Sequence, residues 1–162
     1  MLEFLKWFCV FSRGDGQNGE AGQSDPLGLL KNSYLRLCVQ VKQLAEHAEK
    51  APYPQAAARL RQMAAEKRAN ADRLRQSVLK LGTTLEETPC EVRSGRNHWE
   101  RVVQDLQDQK NLETKLFDQA TLLAKETPDL AELLRDIAAS QHPHTDILLD
   151  LVARADPQAD QT

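Results

Sequence analysis

Apolar residues recur along most of the chain in alternating steps of three and four, the period of one face of an α-helix. A first stripe runs from Leu27 and Leu30 through Tyr34, Leu37, Val41 and Leu44 to Ala48. It follows Ser24-Asp25-Pro26, a capping pair with proline at the first helical position, and stops before Pro52-Tyr53-Pro54. A second carries Leu60, Met63, Ala71, Leu74, Val78 and Leu81, then meets Gly82, a residue that ends helices. After a crossing over residues 82–96, a third takes in Trp99, Val103, Leu106, Leu112, Leu116, Phe117 and Leu123. Thr127-Pro128-Asp129 restarts the chain, and Leu130, Leu134, Ile137, Leu148 and Leu151 form a fourth. Two short joints and one long one predict an all-α fold, an antiparallel four-helix bundle over residues 26–155 built from two helical hairpins. Residues 156–162 read as a polar tail.

Ahead of the bundle the pattern changes twice. Residues 14–25, GDGQNGEAGQSD, have the composition of a flexible linker. Residues 1–13 are the opposite, with Leu2, Phe4, Leu5, Trp7, Phe8 and Phe11 against only Glu3 and Lys6 up to Phe11. The run is too short to span a bilayer, which takes roughly 20 residues. It also lacks the basic start and small-residue cleavage site of a secretory signal. It is expected to act as an anchor, those six apolar side chains binding a membrane surface or a larger protein assembly. The location expected is cytoplasmic, with membrane association through this segment.

Composition narrows the function. The net charge of −3 and 28% charged residues fit a soluble domain and argue against a nucleic-acid partner. Cys9, Cys38 and Cys90 have neither paired spacing nor a CxxC motif, so neither a disulfide framework nor a zinc site is expected. No phosphate loop, nucleophile elbow or catalytic carboxylate pair is present. His142-Pro143-His144 places a proline inside the fourth helix, where a kink or local break is expected.

The stripes break at polar residues near mid-helix. The second passes through Lys67 with Asn70 beyond it, the third through Lys110 and Glu113, and the fourth through Gln141 and His144. In a bundle these interruptions can meet at one level, and a buried charge there requires a partner.

Around these residues the sequence resembles the ferritin-like superfamily, its rubrerythrin-type branch in particular. Met63-Ala64-Ala65-Glu66-Lys67-Arg68-Ala69-Asn70-Ala71-Asp72-Arg73-Leu74 is similar to that family's second helix, and Ile137-Ala138-Ala139-Ser140-Gln141-His142-Pro143-His144 to its fourth. Gln43 to Lys50 resembles the end of its first helix. The resemblance covers residues 27–153 and implies a centre of two iron or manganese ions held by one carboxylate from each of two helices and a Glu-x-x-His pair from each of the others. In this register Lys67 and Asn70 replace one pair, Gln141 and His144 stand at the other, Tyr34 falls at the first-helix carboxylate, and Glu113 or Lys110 at that of the third. A lysine and two amides are a poor donor set for two divalent ions. The expectation is therefore a degenerate di-metal site with no cofactor, in which Lys67 pairs with Glu113 while Asn70, Gln141 and His144 complete a buried network. The protein is then read as a non-catalytic accessory or structural module attached through residues 1–13, with a homo-oligomer left open. The alternative is a metal-binding protein or oxidoreductase with one iron or manganese ion at Glu113, Gln141 and His144. A third reading uses the polar core as a small-molecule pocket.

Overall fold

The computed structural model describes residues 25–158. Four helices fill it: α1 (Pro26–Glu49), α2 (Pro54–Lys80), α3 (His98–Leu123) and α4 (Pro128–Arg154). Prolines open α1, α2 and α4, where a missing backbone N–H costs nothing. Asn97 caps α3 instead, its side chain accepting from the Glu100 amide at 2.8 Å, while the Glu100 carboxylate takes the Arg96 amide at 2.9 Å. Gly82, at φ +84°, follows α2 with a conformation that side chains resist. α4 runs through Pro143 as one helix, so the expected local break is not found.

α1 packs along α2 and α3 along α4, the two hairpins closing on each other through α1–α3 and α2–α4 contacts. The crossing between α2 and α3 is tied down rather than loose. Glu87 bonds Arg68 of α2 and stands 3.9 Å from Lys42 of α1, and the Arg93 carbonyl faces His47 at 3.1 Å. Cationic side chains of α2 meet anionic ones of α4 directly, Arg59 with Asp150 at 2.5 Å and Arg73 with Asp136 at 3.6 Å.

Two apolar clusters make the core. One holds Leu30, Leu37, Leu74, Leu116, Leu123 and Leu134. The other holds Leu44, Leu60, Met63, Val102 and Leu148. The stripes read from the sequence are wider than the faces that are buried: Leu27, Leu81 and Phe117 are exposed, and Val41, Val103 and Leu106 are half-buried. Among the described residues, no helix is long and apolar enough to cross a membrane.

Candidate functional site in the middle of the bundle

Between the two clusters the core turns polar. Each helix gives it two buried polar residues: Gln40 and Gln43 from α1, Lys67 and Asn70 from α2, Asp105 and Gln109 from α3, Gln141 and His144 from α4. The spacing within each pair is three or four, so both members share one helix face.

Lys67 brings an ammonium into this layer and is 1% exposed. Its ammonium donates to Oε1 of Gln109 at 2.5 Å and to Oε1 of Gln141 at 2.6 Å. Gln109 in turn donates to Glu113 Oε1 at 2.9 Å and to the Gln141 backbone carbonyl at 3.0 Å. Thr145 donates to the same Glu113 oxygen at 2.5 Å. Burial drives the Lys67 amine down to about 7, against the pull of the Asp105, Glu113, Asp108 and Glu66 carboxylates. Burial alone would raise the Glu113 carboxyl, but the bonds from Gln109 and Thr145 and the nearby His142 hold it below the usual glutamate range.

A second chain of bonds joins α1 to α3. Gln43 Nε2 donates to Asp105 at 2.8 Å and to Asp108 at 2.9 Å, and Gln40 donates to the Asp108 carbonyl at 2.9 Å. His47 Nδ1 lies 2.8 Å from the other Asp105 oxygen. With the Arg93 carbonyl at its Nε2, that ring faces an acceptor on each nitrogen. Burial raises the Asp108 carboxyl above the ordinary aspartate range, with Gln43 and Arg93 opposing it.

The sequence-assigned positions divide. Lys67, Asn70, Gln141 and His144 meet in the middle layer, with Glu113 at its edge. Tyr34 lies outside it, in the apolar cluster beside Cys38, where burial pushes its phenol up to about 12. Gln40 and Gln43 fill the α1 side instead, because Tyr34 sits nearly two turns towards the start of the helix. Lys110 is exposed. The expected Lys67–Glu113 pair is replaced by a relay through Gln109. Asn70 bonds Ser140 at 2.9 Å, and His144 Nε2 lies 2.5 Å from Glu66, so neither joins the Lys67 bonds as expected. Glu113, Gln141 and His144 thus serve three different partners and do not converge as a one-metal set. Leu2, Phe4, Leu5, Trp7, Phe8 and Phe11 lie outside the described residues.

Sequence reasoning missed Gln40, Gln43, Asp105, Asp108 and Gln109. The signal was available in the i, i+3 and i, i+4 spacings of Gln40–Gln43, Gln43–His47 and Asp105–Gln109, each flanking an apolar residue of the stripe, Val41, Leu44 and Leu106.

A family model described as the ferritin-like domain matches residues 30–156. The chain belongs to the ferritin-like family. Among solved structures, a bacterioferritin from Mycobacterium tuberculosis is 21% identical and superposes with a TM-score of 0.72, covering 82% of this chain and 88% of that one. A dodecameric thioferritin from Bacteroides fragilis is 12% identical, with a TM-score of 0.71 and coverage of 79% and 84%. A Rhodobacter capsulatus bacterioferritin, described with a metal-free dinuclear site and haem iron, is 15% identical, with a TM-score of 0.69 and coverage of 83% and 87%. No curated protein sequence matches.

Two expectations are corrected by these likenesses. An accessory module hung from residues 1–13 gives way to a ferritin-like domain, since the family model matches residues 30–156 and the shared fold extends over most of each of these chains. The expected lack of any cofactor is corrected likewise, since the Rhodobacter protein of the same fold is described with a metal-free dinuclear site and haem iron. A resident two-metal centre is a separate matter of fit. The middle layer presents an ammonium, amide groups and the His144 ring, its buried acid Asp105 is engaged by Gln43 and His47, and Glu113 at its edge is engaged by Gln109 and Thr145. Among the described residues no group of three or more His, Cys, Asp or Glu is arranged to hold a metal. The residues present do not fit two metal ions.

Proposed function

We propose that this chain is a subunit of a ferritin-type assembly that takes up iron as its cargo. The observation that supports the reading is the family match over residues 30–156, reinforced by a bundle sharing 84–88% of the length of the three solved relatives. In this reading the middle layer locks the four helices in register. Lys67 joins α2 to α3 and α4, and Gln43 with Asp105 and Asp108 joins α1 to α3. A fixed register suits a subunit whose outer faces must meet identical copies.

The test is iron loading of the purified full chain. Ferrous iron is added in air, the mixture is separated by size with light-scattering detection, and each fraction is assayed for iron and protein. A multi-subunit species that retains many more iron atoms than chains is expected. A monomer that leaves the iron in the small-molecule fraction overturns the proposal. The initial oxidation rate, compared with buffer alone, tells whether the assembly also oxidises its cargo.

A further inference from the structure

The two ends of the bundle differ. The end where α1 starts and α2 and α3 finish exposes Leu27 (38%), Leu79 (48%), Leu81 (57%) and Leu122 (58%). The core beneath is a single cluster joining Leu30, Val78, Leu85 and Leu123, so these elements meet at that end. The opposite end exposes Tyr53, at the α1–α2 joint, and Leu149, just over a turn from the end of α4. Large apolar side chains left in water at one end of a domain mark a surface that something covers.

What enters the structure at that end is the chain itself. Pro26 opens α1 one residue from Leu27, and ahead of it stand the polar residues 14–25 and then the apolar run with Leu2, Phe4, Leu5, Trp7, Phe8 and Phe11. Twelve extended residues reach at most about 40 Å, and the effective concentration of a tethered segment is highest for a surface near its tether. A leucine-rich patch beside the tether point of an aromatic segment is matched in chemistry and in place. We propose that residues 2–11 dock on their own bundle, over the leucines at the α1 start and the α2 end.

Trp7 reports on this directly, since the chain has two tryptophans and the other is Trp99. Full-length protein carrying Trp99→Phe is measured for Trp7 emission and acrylamide quenching across a hundredfold range of concentration. Blue-shifted, quench-protected emission that does not change with concentration is expected. Adding Leu79→Asp and Leu81→Asp should red-shift the emission and raise quenching severalfold. Both leucines are already exposed, so the helical signal in circular dichroism should hold. Protection that appears only at high concentration overturns the proposal in favour of a second copy. Protection that appears only with phosphatidylglycerol vesicles overturns it in favour of a lipid surface. Emission unmoved by the two aspartates, with the helical signal intact, overturns it for this patch.

Discussion

Lys67 and Glu113 are joined through Gln109, which accepts from the ammonium at 2.5 Å and donates to the carboxylate at 2.9 Å. An amide alone among similar side chains can do both at once, because it carries an acceptor and two donors on one plane. Neither leucine nor glutamate can replace it. Gln109→Leu leaves Lys67 with one acceptor fewer and should cost about 2–3 kcal/mol, the worth of a buried bond to a charged group. Gln109→Glu keeps the acceptor but sets a second carboxylate against Glu113. Urea unfolding of Gln109→Glu, Glu113→Gln and the double variant should therefore show a coupling of about 1 kcal/mol or more in favour of the pair. Additive losses would mean that the relay carries no energy.

Burial of Lys67 writes a pH dependence into folding. Its amine titrates near 7 in the folded chain against 10.5 unfolded. Between those values the unfolded chain holds the extra proton. The ammonium's burial therefore opposes folding in full below pH 7, and that opposition fades as pH rises towards 10.5. Lys67→Met removes it, while leaving Gln109 and Gln141 without their donor at every pH. Wild type should gain on Lys67→Met as pH rises from 7 to 10, by at most about 1.4 kcal/mol per unit. The check is a difference of denaturation midpoints across that range, in which every other titrating group cancels. A flat difference would place the proton elsewhere.

The α1–α3 seam depends on Asp105, which takes Gln43 on one oxygen and His47 on the other. Asp105→Asn keeps the volume but removes the charge that both donors address. A loss of about 2–4 kcal/mol is expected, in the range for breaking a buried, hydrogen-bonded charge. Amide hydrogen exchange gives the sharper readout. Protection should fall first along the facing sides of α1 and α3, while the apolar α3–α4 hairpin keeps its own. Uniform loss across all four helices would show that the seam opens only with the whole bundle.

Helix count, hairpin pairing and the polar level of the core were all legible in the sequence, because stripes at 3.6-residue spacing and proline-marked joints are local signals. Lys67, Gln141 and His144 stood out because they interrupt such stripes. Gln40, Gln43 and Asp105 did not, because they sit beside the stripe, and only packing decides whether a flank is wet. The flank of α1 that meets α3 is buried and polar, while Phe117, inside the stripe of α3, is exposed. Tyr34 was placed at a carboxylate position by the resemblance, yet it lies nearly two turns from the polar layer, in the apolar cluster, because only packing against the other helices sets the level at which α1 meets that layer.

On the acid side the relevant pair is His144 and Glu66. Burial lowers the His144 ring below its usual range, and the nearby Lys67 ammonium adds to this, while the bond to Glu66 and the Glu113 charge oppose it. Glu66 is lowered in turn, first by its bond from His144. The signs agree. Below the usual histidine value of about 6.5, the unfolded chain takes up a proton that folded His144 resists, and stability falls. Below the usual glutamate value the unfolded carboxyl is protonated first, and stability falls again, though Glu66 is 48% exposed and its share should stay under about 1 kcal/mol. His144→Gln should flatten the stability curve between pH 6.5 and 5, whereas Glu66→Gln should leave that window nearly unchanged and flatten only the limb below pH 4.5. Equal flattening of both windows by either change would show that the two groups titrate as one unit.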